Sequence, residues 1–243
     1  MKEFPWPVFA CLGILVLSSL ALSAGPDLAR AADPGSAAVK FAGAAALALA
    51  VTALGLIVSR RTGFRTPLLD RLFSKRREPI PAARWMAESI GPGAAVGAIG
   101  LAAMKLLFLT ANPAWRAAWA EEGARPIGTR LALCFEAAVQ EEVLYRLLFL
   151  SLFVWILSRF LKREASSPVL FSAANAGSAL LFGLAHLAKP FPLGTAQIAG
   201  IVLVNGTAAL VFGWLYRRRG LESALAAHFT ADFILRVAGH AMI

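Results

Sequence analysis

The chain has 243 residues, 58% of them apolar and only 16% charged, with a mean hydropathy of +0.68 and a net charge of +10. A soluble domain is nearer half apolar and a quarter charged, so this composition excludes a disordered chain and speaks against a cytosolic globule. Two cysteines, Cys11 and Cys134, give no disulfide framework, and no folded polar face gathers the basic residues as a nucleic-acid binder requires.

A membrane-spanning helix needs roughly 20 mostly apolar residues. Seven stretches qualify in chain order: about 8–24, 38–59, 90–111, 128–157, 168–188, 195–216 and 221–240. The expected fold is therefore all-α: a polytopic membrane helix bundle of about seven transmembrane helices, or six if the first is cleaved. No alternation of the kind an outer-membrane barrel needs is present. The first span reads as a retained helix, because Met1-Lys2-Glu3 lacks the charge of a signal-peptide start. The alternative is a signal peptide ending at the weak site Ala-Leu-Ser-Ala, 21–24. Residues 1–127 are expected to supply N-terminal transmembrane helices and a basic cytoplasmic loop, and residues 128–243 a second helix bundle.

The basic residues set the orientation. Lys2, the eight Lys and Arg of 60–84, Arg159, Lys162, Arg163 and the arginines at 217–219 make 15 of the 24 basic residues, all on one side of the seven-span layout. By the excess of Lys and Arg in cytoplasmic loops, the N-terminus is inside and the C-terminus outside. The loop 60–89 reads as a topology determinant, with Arg71 and the run Lys75–Arg77 beside anionic headgroups as a second reading.

Ionisable groups within a span are costly and mark function by default. The fourth span carries Glu136, Gln140, Glu141, Glu142 and Arg146, the fifth Asn175 and His186, the sixth Asn205, and the seventh His228, Asp232 and Arg236. Glu142 and Arg146 are four apart on one helix face and can pair; His228 and Asp232 share the same spacing. Each span thus shows one polar stripe, which predicts a single polar pocket lined by the fourth, fifth and seventh spans. Asn175 and Asn205 read as interhelical hydrogen bonds, Cys134 as a packing residue, and Gly91, Gly93, Gly97, Gly100, Gly206 and Gly213 as sites of close helix contact. Depth poses a problem. His186 stands about 18 residues into its span and His228 about 8, roughly 27 and 12 Å at 1.5 Å per residue. For them to meet, the fifth helix must start outside the bilayer or tilt strongly.

A carboxylate and an imidazole within reach of one water form a general-base pair, and a second imidazole beside a carboxyl or amide can serve a developing oxyanion. These are parts for water attack on a carbonyl. At these residues the sequence resembles the CAAX-processing and bacteriocin-processing intramembrane proteases, the CPBP or Abi family. Glu141-Glu142-Val143-Leu144-Tyr145-Arg146 is similar to its EExxxR motif, Phe182–His186 to FxxxH, and His228–Asp232 to HxxxN with Asp in the last place. Gly213–Tyr216 and Gly220–Ser223 resemble the approach to the third motif.

The resemblance covers roughly 128–236. It implies an intramembrane endopeptidase that hydrolyses a peptide bond of a membrane-associated protein or peptide. Glu141 and His186 would activate the water, His228 and Asp232 would stabilise the oxyanion, and Glu142 and Arg146 would support the site. Asp232 must be protonated to donate a hydrogen bond; otherwise it orients His228 as an acceptor. No cofactor is expected. Zinc is disfavoured because the helix HExxH is absent. The expected partners are a membrane-anchored substrate and the bilayer, with no nucleic acid. The Ala/Arg-rich composition and the Asp in the third motif point to a bacterial inner membrane. The competing readings are a small polytopic carrier, which predicts an inverted repeat that is not found, and a non-catalytic immunity or scaffold protein.

Overall fold

The computed structural model describes residues 4–29, 33–73, 82–188 and 192–242. These are helical, with no strand among the described residues. The helices are α1 (Trp6–Ala29), α2 (Pro34–Thr62), α3 (Pro67–Leu72), α4 (Ala82–Ala103), α5 (Pro113–Ala124), α6 (Ile127–Glu142), α7 (Ser151–Phe160), α8 (Pro168–Ala185), α9 (Thr195–Arg219), α10 (Leu221–Phe233) and α11 (Gly239–Met242). Wide π turns at Met104–Leu109, Val143–Leu150 and Ile234–Ala238 extend α4, join α6 to α7 and join α10 to α11.

Among the described residues six segments are long and apolar enough to cross a membrane: Trp6–Ala24, Gly35–Thr62, Arg84–Leu109, Ile127–Phe160, Pro168–Ala185 and Thr195–Arg219. They coincide with the first six expected spans to within a few residues. The seventh forms a continuous helical rod from Leu221 to Met242 but is not among them. Its own polar groups, Glu222, His228, Asp232 and Arg236, dilute its apolar character. The segment between the third and fourth spans, outside the seven expected stretches, forms the helix α5.

Local sequence explains the ends. Asp33 caps α2 by accepting from the backbone N–H groups of Gly35 and Ser36, with Pro34 next to it in the first turn. Asn112 does the same for α5 ahead of Pro113. Gly63 closes α2 at φ +83°, and Gly220 separates α9 from α10 at φ +92°, both in the left-handed region glycine tolerates. Gly220 also packs against Pro67 and the Arg65 carbonyl, where a Cβ would collide.

Two small-residue contacts position the site. On α4, Ser89, Gly93 and Gly97 are buried, four residues apart. They face Ser223, Ala227 and Ala231 on α10 in parallel register: the two serine hydroxyls lie 2.7 Å apart, and a Cβ on Gly93 or Gly97 would strike the backbone of Ala227 or Ala231. Close approach of small residues is how helices pack without a hydrophobic drive between them. Antiparallel α8 and α9 meet through Gly183 at Val202 and Gly213 at Asn175, whose side-chain amide donates to the Leu210 carbonyl at 3.0 Å. Gly91 and Gly100, expected at contacts, meet nothing within 4 Å.

The main core joins these helices through Leu12, Val16, Leu56, Leu147, Phe212 and Leu221. Gln140 leaves the polar cluster and donates to Ser19 Oγ (2.7 Å) and the Val16 carbonyl (3.0 Å), tying α6 to α1. The basic ends gather: Leu221 N donates to the Arg65 carbonyl and Arg217 to the Ser166 carbonyl. The run Lys75–Arg77 lies outside the described residues.

Candidate active site

Glu141 and Glu142 end α6, and the π turn begins at the next residue. Such turns inside helices concentrate at functional sites. Here adjacent carboxylates do different work. Glu142 is fully buried: its Oε2 lies 3.1 Å from Nε of equally buried Arg146, and its Oε1 lies 2.8 Å from His228 Nδ1. The Arg146 guanidinium also donates to the Ala209 carbonyl at 3.2 Å and lies over the rings of Phe182 (4.8 Å) and Phe212 (5.5 Å). Phe212 in turn stacks on His228 at 4.9 Å between centroids.

Glu141 points the other way. Its Oε2 is 4.0 Å from His186 Nε2 and 3.7 Å from His228 Nε2. That oxygen is buried and has no hydrogen-bond partner among the described residues. The gap to each ring suits a shared water rather than a direct bond. The far nitrogens of both rings are fixed. His186 Nδ1 lies 2.8 Å from the Phe182 carbonyl. A carbonyl only accepts, so this nitrogen donates and Nε2 of the neutral ring carries the lone pair. His228 Nδ1 donates to Glu142 when that group is a carboxylate.

The two histidines do meet, on either side of Glu141. His186 is the residue that ends α8, and its ring folds back one turn onto Phe182. The Phe182 ring bridges the interval, 4.6 Å from His186 and 6.0 Å from His228. Asp232 Oδ1 stands 4.0 Å from His228 Nε2, and its Oδ2 accepts from Arg236 Nε at 3.3 Å. All six expected site residues thus fall in one constellation.

A cavity of about 80 Å³ opens onto Glu141, His186, His228 and Asp232. It continues into a larger chamber of about 250 Å³ walled by Met104, Phe108, Trp115 and Trp119. Gly97 on α4 and Asn205 on α9 also line the first cavity, so the pocket is built by more than the fourth, fifth and seventh spans. Asn205 is no interhelical tie: its amide donates to the Ile201 carbonyl of its own helix. Cys134 is buried in packing as expected. Among the described residues no three His, Cys, Asp or Glu side chains are grouped to hold a metal ion.

Sequence reasoning placed Arg236 on the seventh span without giving it a role, and missed Glu122. Arg236 lines both cavities and pairs with Glu122 of α5 at 2.7 Å as well as with Asp232. Its spacing of four from Asp232 was a visible signal. Glu122 gave none, because it lies outside the seven expected spans.

Helices and site together define a polytopic integral membrane protein with a glutamate–histidine–arginine cluster buried between its helices. Residues 124–234, just under half the chain, match the family model for type II CAAX prenyl endopeptidases, Rce1-like. The match spans all three motifs and agrees with the resemblance read from them. No curated protein and no solved structure matches the chain.

Proposed function

We propose that this chain is an intramembrane endopeptidase that cleaves a membrane-anchored protein or peptide by direct attack of an activated water. The observation that carries the reading is Glu141 Oε2 set between two imidazole Nε2 atoms over a cavity. Water held by Glu141 and the lone pair of His186 Nε2 gives up its proton to the carboxylate as it attacks the scissile carbonyl. His228, when charged, donates from Nδ1 to Glu142 and from Nε2 to the oxyanion, with Asp232 beside it. Arg146 holds Glu142, and so the ring, in place. The protonated Glu141 then returns its proton to the leaving amine. This route uses no metal. The substrate is a sorting tail, leader or CAAX-like end, in a bacterial inner membrane with the basic end of the bundle facing the cytoplasm.

The test is expression of wild type, Glu141→Gln and His186→Ala beside candidate anchored substrates, with products followed by mass spectrometry. Glu141→Gln is expected to lower processing by about 10²–10⁴-fold, the usual contribution of a general base. Unchanged processing in that variant would overturn the mechanism. A solute flux lost in the same variant would favour a carrier instead.

A further inference from the structure

A third cavity, of about 310 Å³, lies away from the site, between α4 and α9. Its walls are Arg84, Glu88, Pro92, Trp214, Arg218 and Arg219. The charge is unbalanced: Glu88 pairs with both Arg84 (2.9 Å) and Arg219, while among the described residues Arg218 has no acidic partner. Three guanidinium groups therefore face one carboxylate. Arg218 instead lies over Trp214, 5.3 Å from the ring centroid, and this indole is 44% exposed on the outside of the bundle.

The cavity's place in the fold narrows the ligand. Arg84 is the first residue of one membrane-crossing segment and Arg219 the last of another. Both ends therefore sit at headgroup level, where Trp is enriched and where Arg meets anionic lipid. Pro92 and Trp214 continue the cleft toward the apolar part of the helices. A basic upper rim over an apolar wall matches a phosphate joined to acyl chains.

We propose that this cleft is a binding site for one anionic phospholipid, whose phosphate is held by Arg84 and Arg218 and whose glycerol and chains lie along Trp214 and Pro92. The site follows from its own geometry and does not depend on the proposed proteolysis. A bound lipid would brace α4 against α9 one residue from Gly93, the contact that seats Ala227 beside His228.

The experiment uses the full chain in detergent with equal phosphatidylglycerol and phosphatidylcholine, and counts retained lipids by native mass spectrometry. Wild type is expected to keep one phosphatidylglycerol in preference to phosphatidylcholine. Arg84→Gln, on a side chain 73% exposed and so without risk to folding, should weaken that retention about fivefold, and with Arg218→Gln roughly twentyfold, given the usual gain per basic residue at a lipid surface. Arg159→Gln with Lys162→Gln removes equal charge from the same end and should leave retention unchanged. Equal loss in that control would overturn the site in favour of diffuse charge. Retention by the cleft variant, or displacement of the lipid by millimolar inorganic phosphate, would also overturn it.

Discussion

His228 Nδ1 lies 2.8 Å from Glu142 Oε1, across 86 residues of chain, and both groups are buried. This contact converts the second glutamate of the EE pair from a neighbour of Arg146 into the group that orients an imidazole. Glu142→Gln keeps the shape but places an amide where Nδ1 must donate. If its NH₂ turns to the ring, the tautomer reverses. Orienting carboxylates of this kind are worth up to about 10⁴ in rate, so processing should fall roughly 10³-fold with the fold retained. Arg146→Ala should act differently. It strands a buried carboxylate, and breaking a buried pair this way costs about 3–5 kcal/mol. Thermal unfolding in detergent separates the two: the larger drop for Arg146→Ala, a smaller one for Glu142→Gln, whose amide oxygen can still accept from the Arg146 guanidinium.

The parallel contact of α4 and α10 gives a second prediction. Gly97→Leu drives a side chain into the backbone at Ala231, adjacent to Asp232. Overpacking of this kind costs about 1–3 kcal/mol, and it also moves the helix that carries His228. Activity should therefore fall further than stability alone explains. Gly91→Ala lies on the same helix with open space around it. It should match wild type or gain up to about 1 kcal/mol from reduced backbone freedom. Equal loss in both variants would show that α4 tolerates no change, rather than that this one face is packed.

How far the sequence reached can be judged from these same residues. Spans and motif residues were legible because each rests on a local rule: an apolar run long enough to cross, or a pair four apart on one face. The pairing of Glu142 with Arg146 was of this kind. The partner of Glu142 on α10 was not, since nothing local joins positions 86 residues apart. Gln140 misled for a related reason. It sits beside Glu141 in sequence, but 100° of helical rotation per residue turned it to α1. Helix α5 was missed because its 12 residues are too short and too polar to read as a span.

Metal removal is the third prediction. The proposed water is activated by Glu141 and His186, so dialysis against a chelator should leave processing unchanged. A loss of more than about tenfold, restored by zinc, would instead assign Glu141, His186 and His228 as ligands with a water in the fourth position.

The fourth prediction concerns α5, which closes the outer wall of the larger chamber. The contacts that seat it include Trp115 stacked on Phe108 at 4.6 Å, Arg116 donating to the Leu109 carbonyl at 2.8 Å, Trp119 on His240 at 3.9 Å, and Glu122 on Arg236 at 2.7 Å. Only the last reaches the site, because Arg236 also holds Asp232. Glu122→Gln cuts the tie to α5 and leaves Asp232 paired. It should speed amide exchange across Pro113–Ala124 with little change in processing. Arg236→Gln cuts both ties and frees a carboxylate that is only 16% exposed. Exchange should rise to the same extent while processing falls about tenfold, as Asp232 loses the partner that fixes it against His228. Partly exposed ion pairs are often worth under about 1 kcal/mol. Unchanged exchange in both variants would therefore mean that the contacts of Trp115, Arg116 and Trp119 hold α5 without the ion pair.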